Sequence, residues 1–174
     1  MKLVRWLIVI GVCAWAGQYA LALVLPNLVM ETVYALGGKS IGYNQFVVNR
    51  IPDEASRSIV RPSPDLLYAV CLYDLKDGPL AIETPIAERY WSLQFYQMNT
   101  DNYAGVTNQR AEKHRVGSTM KMTLISRDDD PTTYGGTVIQ SPTDRGIALL
   151  RASAIGNRAA QQAALDASRC HPVD

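Results

Sequence analysis

Asp65, Tyr68, Arg89, Tyr90 and Asp101 are the side chains whose types suit a polar binding site: carboxylates, phenols and a guanidinium set among alternating apolar residues. Such groups hold an anion or a polar ligand through charge-assisted hydrogen bonds. They do not assemble a reaction, because no nucleophile is paired with a base. Asp65 equally satisfies turn donors behind Pro62 and Pro64, and Arg89-Tyr90 equally braces a sheet through a buried ion pair. The structural role is the preferred one, and no catalytic residue is assigned.

Other motifs fall away on spacing. The histidines are His114 and His171, the second beside Cys170, and a metal at Cys170-His171 needs ligands from elsewhere. Asp128-Asp129-Asp130 is followed by Pro131, where a calcium loop needs spaced acids and a glycine, so a solvated turn is expected. Gly37-Gly38-Lys39-Ser40 lacks the phosphate-loop glycine where Val33 stands, and reads as a flexible linker. No metal and no cofactor are expected. A hydrolase elbow is absent from the sequence.

The elements that position these groups lie between Arg61 and Tyr103. Leu66 to Leu75 reads as a buried or central strand, the Asp77-Gly78-Pro79 turn leads to Leu80 to Thr84, and Tyr90 to Met98 alternates with Trp91, Leu93 and Phe95 on one face. Three antiparallel strands are the economical reading. Tyr43 to Asn49 is either a strand or a helical turn, and Pro52-Asp53-Glu54-Ala55 reads as a helix start. Thr100 to Ser118 is read as a long polar loop holding Arg110, Glu112, Lys113 and Arg115. Further strands follow at Met120 to Ile125, Thr137 to Gln140 and Gly146 to Ala152. Arg158 to Ser168 is helical, with Asn157 as its cap. The expectation is a mainly β protein: an antiparallel β-sandwich or jelly roll with a short C-terminal helix.

Upstream, Leu3 to Met30 is almost unbroken apolar, with Arg5, Gln18 and Asn27 the strongly polar exceptions. That exceeds the roughly 20 residues that cross a bilayer. A cleaved signal is the competing reading, since Ala20-Leu21-Ala22 suits signal peptidase, yet Leu23, Val24 and Leu25 continue the apolar run. A retained transmembrane helix is preferred. Lys2 and Arg5 before it place the N-terminus in the cytoplasm and the domain in the periplasm, on a single pass through a bacterial inner membrane. The divisions are then 1–36, helix and membrane exit; 37–60, linker and short helix; and 61–174, the sandwich. Gly11, Ala14, Gly17 and Ala20 allow close contact with other membrane helices.

Lysine and arginine total 17 against 16 acidic residues, and removing Lys2 and Arg5 leaves 15 positive in the soluble part. That balance gives no field for nucleic acid. About 140 residues beyond the membrane segment make one domain. Cys13 packs in the membrane segment. Cys71 and Cys170 either pair in an oxidising compartment or stay free.

Arg61-Pro62, Asp65, Leu67-Tyr68, Asp74-Leu75, Gly78-Pro79, Pro85, Arg89-Tyr90, Ser141-Pro142-Thr143 and Arg151 resemble, in order and spacing, the bacterial domain-of-unknown-function family number twelve fifty-four. Ser63 and Leu66 depart from its Arg-Pro-Asn-x-Asp-Thr-Leu-Tyr hallmark, which weakens a polar site built there. Many relatives continue into a second β-rich domain, so the resemblance implies a short single-domain form with a β-sandwich fold, and it brings no established reaction. The functional expectation is a non-catalytic accessory subunit of a larger inner-membrane complex, electron-transfer or photosynthetic, with other subunits as partners. The alternative is a membrane-tethered enzyme or small-molecule or metal binder with a pocket in the sandwich.

Overall fold

The computed structural model describes residues 2–48, 62–87, 89–109 and 118–173. Helix α1 (Lys2–Ile41) leads into two packed sheets built from β1 (Phe46–Val48), β2 (Leu66–Asp74), β3 (Leu80–Pro85), β4 (Trp91–Gln97), β5 (Asn102–Thr107), β6 (Thr119–Ile125), β7 (Thr137–Gln140), β8 (Arg145–Ser153) and β9 (Arg169–Pro172), with α2 (Arg158–Asp166) before β9. The five-stranded sheet runs β1-β2-β8-β4-β5 and the four-stranded sheet β7-β6-β3-β9. Every pair is antiparallel except β6 with β7. Period-two alternation builds the core: Leu67, Ala69, Cys71 and Tyr73 of β2, Trp91, Leu93 and Phe95 of β4, and Ala148, Leu150 and Ala152 of β8 meet Leu80, Ile82, Met122 and Leu124 of the other sheet.

The three strands expected to form one antiparallel unit are divided between the sheets. The turn at Lys76 to Gly78 passes the chain from β2 in one sheet to β3 in the other, and β2 and β4 are joined only through β8, inserted between them. The long loop expected from Thr100 onward contains β5, which pairs with β4 from Ser92↔Thr107 to Tyr96↔Asn102. Its apolar residues are sparse, but Ala104 and Val106 pack on the core. Strand β9, also unforeseen, pairs its Cys170 with Ile82 of β3. The expected helix start at Pro52 to Ala55, His114 and its neighbouring charges lie outside the described residues.

The linker reading of Gly37 to Ser40 is corrected: these residues are the last turns of α1. Helix α1 continues past the apolar run and packs Met30 and Tyr34 against Leu72 and Met98 on the outer side of the five-stranded sheet. A Cβ at Gly37 would meet Leu72 Cδ1 at 2.8 Å, and one at Gly38 would overlap the Tyr43 ring. The glycine pair serves close approach rather than flexibility. Tyr34, 3% exposed, donates its hydroxyl to the Tyr73 carbonyl at 3.0 Å and stacks on Tyr43 with ring centroids 4.9 Å apart. Arg145 lies 5.3 Å over the Tyr34 ring and pairs with Glu31 at 2.7 Å.

Cys71 and Cys170 form a disulfide that joins β2 of one sheet to β9 of the other, with Cα atoms 6.6 Å apart. Asn157 caps α2 by accepting from the Ala160 amide at 3.1 Å. Asp130, at the end of the acidic run, caps a short 3-10 helix over Pro131–Thr133, and its hydrogen bonds from Thr132 hold its carboxyl below the usual range.

Candidate functional site

The outer side of the five-stranded sheet carries the residues that β2, β8 and β4 turn away from the core. Register places Tyr68 opposite Arg151, and Arg151 opposite Ser92, in one row across three strands. The same end of the sheet collects the other expected residues. The Ser153 amide donates to the Tyr90 carbonyl at 2.8 Å and the Ala154 amide to the Asp65 carbonyl at 2.7 Å, so Tyr90 and Asp65 flank the end of β8. The Tyr90 and Ser92 hydroxyls are 2.9 Å apart, and the Tyr68 hydroxyl accepts the Ser63 amide at 3.0 Å. The Arg89 side chain lies over Gly156, and its carbonyl accepts from the Asn108 side chain.

Asp65, Tyr68, Arg89 and Tyr90 therefore lie at the same end of the sheet as Arg151. Asp101 does not join them, because β4 carries the chain the length of the sheet before it appears. There its carboxylate accepts from Asn99 at 2.7 Å and tightens the β4–β5 turn, which is a structural role. Asp65 and Arg89 are exposed, and neither forms an ion pair among the described residues. The buried ion pair expected to brace Arg89 is thus not found among them.

Arg151 and Ser92 are the members that sequence reasoning did not single out as a site. Arg151 was visible as the one charge in the apolar run of β8, whereas nothing marks Ser92. Ser92 is 0% exposed, and Arg151 Nε is buried with no hydrogen-bond partner among the described residues. A guanidinium beside two phenols and a hydroxyl suits the binding of a carboxylate or phosphate. No cluster of three metal-ligating side chains occurs among the described residues.

A second polar group is enclosed near the opposite end of the sandwich. The Tyr73 hydroxyl lies 3.1 Å from that of Tyr103 and 3.0 Å from Ser141 Oγ, which donates to the Thr143 carbonyl at 2.6 Å. Burial pushes both phenols above their ordinary range, and for Tyr103 the neighbouring Tyr73 adds to it. The neutral form is the one the fold holds, so its stabilisation is complete below the unfolded phenol value near 10 and is lost as pH rises beyond it. Unfolding midpoints are expected to be flat toward pH 10 and to fall above it, with these phenols ionising only as the chain unfolds. Free titration of every tyrosine in a folded chain, followed by absorbance, would contradict this.

The described part of α1 before Met30 presents its large apolar side chains outward and is long and apolar enough to cross a membrane. At 100° per residue, Gly11 and Ala20 fall on opposite sides, so Gly11, Ala14, Gly17 and Ala20 do not make one contact face. Cys13, Ala16, Gly17 and Ala20 share a face more closely.

Comparison with known proteins gives a family and a fold. The model of a family described as "Protein of unknown function (DUF1254)" matches residues 43–172. The structure is similar to the VPA0106 protein from Vibrio parahaemolyticus, at 13% identity and a TM-score of 0.59, over 87% of this chain and 37% of that one. A putative uncharacterized protein from Burkholderia cenocepacia aligns at 12% identity and a TM-score of 0.48, over 74% of this chain and 37% of the other. The chain thus spans a little over a third of the length of these solved proteins. No curated protein matches it.

Proposed function

We propose, from the premise that this chain belongs to the DUF1254 family, that it is a non-catalytic accessory subunit anchored in a bacterial inner membrane. Its sandwich is held on the periplasmic side within a larger assembly of the electron-transfer or photosynthetic kind. The observation that carries this reading is the unbroken passage of α1 from its apolar run into its seat on the sheet, where Met30 and Tyr34 are buried. A tethered enzyme gains from a flexible leash that lets it search, whereas a fixed body suits a defined place among neighbours. Lys2 and Arg5 ahead of the apolar run and a disulfide in the outer body agree with the orientation. Purification of the full chain in mild detergent is expected to bring stoichiometric membrane subunits with it. A stable, monodisperse chain without them would overturn the proposal.

Arg151 favours a second reading, a membrane-tethered binder of an anionic small molecule, because its Nε is buried without a partner among the described residues. Under that reading Arg151→Met abolishes the thermal stabilisation given by a carboxylate or phosphate ligand and Arg89→Met reduces it, whereas Asp65→Asn leaves it unchanged or larger, since it removes a negative charge. Absence of any such stabilisation in the unmodified chain removes it.

A further inference from the structure

We infer that the cleft beside the exit of α1 is a seat for the headgroup phosphate of an anionic membrane lipid. The cleft, about 400 Å³, lies between the turns that end β2, β4, β6 and β7, and its lining includes Lys76, Met98, Arg127, Thr143 and Arg145. Two of these residues are also the ground on which α1 rests: Met98 packs in one cluster with Met30, and Arg145 is bonded through both terminal nitrogens to Glu31 at 2.7 and 3.3 Å.

That shared ground fixes the height of the cleft. The 28 residues from Leu3 to Met30 extend about 42 Å as a helix, against about 30 Å of hydrocarbon and 40 to 45 Å including headgroups. Glu31 is the first charge beyond them, so Glu31 and its partner Arg145 stand at headgroup level. The proposal rests on the membrane placement of α1 and is independent of the accessory-subunit assignment.

The chemistry fits a phosphodiester. Asp128 and Asp144 also line the cleft, but Asp144 accepts from Ser126 Oγ at 2.9 Å and Asp128 sits 3.7 Å from Arg127 Nε in an exposed pair. The Lys76 ammonium has no ion-pair partner among the described residues. Lys76 thus supplies a cationic donor unpaired among the described residues, Arg127 one shared with Asp128 in an exposed pair that a phosphate can displace, Thr143 a hydroxyl, and Met98 an apolar wall toward the helix, where acyl chains would descend. Each basic group within reach of an anionic headgroup contributes on the order of 1 kcal/mol to holding it.

The test uses the full chain, released intact from nanodiscs containing either phosphatidylglycerol or phosphatidylcholine and weighed by native mass spectrometry. One phosphatidylglycerol is expected to be retained, and Lys76→Gln with Arg127→Gln to weaken retention roughly thirtyfold while the melting temperature is unchanged. Equal retention by the variant overturns the proposal, as does equal retention of phosphatidylcholine. Inorganic phosphate alone is the second arm: if it occupies the chain as well as the lipid does, the cleft takes free anions and the lipid assignment falls. A chain that enters nanodiscs but holds no lipid defeats this inference only. One that does not enter them at all defeats the membrane placement as well.

Discussion

Replacing Cys71 and Cys170 together with alanine is expected to lower the stability of the sandwich by about 4 to 5 kcal/mol, the largest single effect in the molecule. The bond closes a loop with a sequence separation of 99, so its loss releases much chain entropy in the unfolded state. Position adds to length. β9 is four residues long and lies at the edge of its sheet, paired with β3 on one side. Without the bond to β2, that strand keeps its pairing with β3, and the preceding α2 its buried Leu165, but no covalent link to the five-stranded sheet. Against a typical total of about 5 to 15 kcal/mol the loss is severe, and it corresponds to a melting temperature lower by roughly 10 to 15 °C. The measurement is denaturation of the full chain with and without a reductant, which should move the unmodified protein and leave the double alanine variant unmoved. Coincident curves for the oxidised and reduced unmodified chain would refute it.

Tyr34→Ala should leave the sandwich folded and free it from α1. The substitution removes a buried ring, its hydroxyl bond to the Tyr73 carbonyl, its stack on Tyr43 and the surface over which Arg145 lies. Large aromatic truncations in packed sites cost about 3 to 5 kcal/mol. Here the loss falls on the seat of the helix, since Tyr34 belongs to the small cluster with Met30, Leu72 and Met98 and not to the main core. Cys13 is exposed on α1, so one spin label there and another at Asn102→Cys report the angle between helix and sheet. The parent chain should give one narrow distance distribution in nanodiscs and Tyr34→Ala a broad one. A broad distribution in the parent would refute the rigid seat.

Much of the sandwich was legible because its strands carry clean alternation. Trp91, Leu93 and Phe95 face the core as their period requires, and Ser92, Gln94 and Tyr96 lie on the other side. Strand β5 was hidden because its inner residues Tyr103, Ala104 and Val106 break the period at a register shift, and β9 because four residues around a cysteine carry no period. The helical Gly37-Gly38 was misread for a physical reason: glycine signals freedom in isolation, and closeness only once Leu72 and Tyr43 are known to lie above it. For the polar site, local sequence located Asp65, Tyr68, Arg89 and Tyr90 near strand ends. It could not tell that Asp101 stands at the far end of β4, nor that β8 slips Arg151 between Tyr68 and Ser92, because both follow from long-range pairing.

The place of β8 also sets an order of events in the life of the chain. Residues 145–153 complete a sheet whose other strands, β1, β2, β4 and β5, all precede them in the chain, and β2 has no route to β4 until they arrive. Pairing at such separation is slow and waits on loop closure. Until residues 145–153 arrive the earlier strands stay open, so closure of the five-stranded sheet is expected to be a late step in folding.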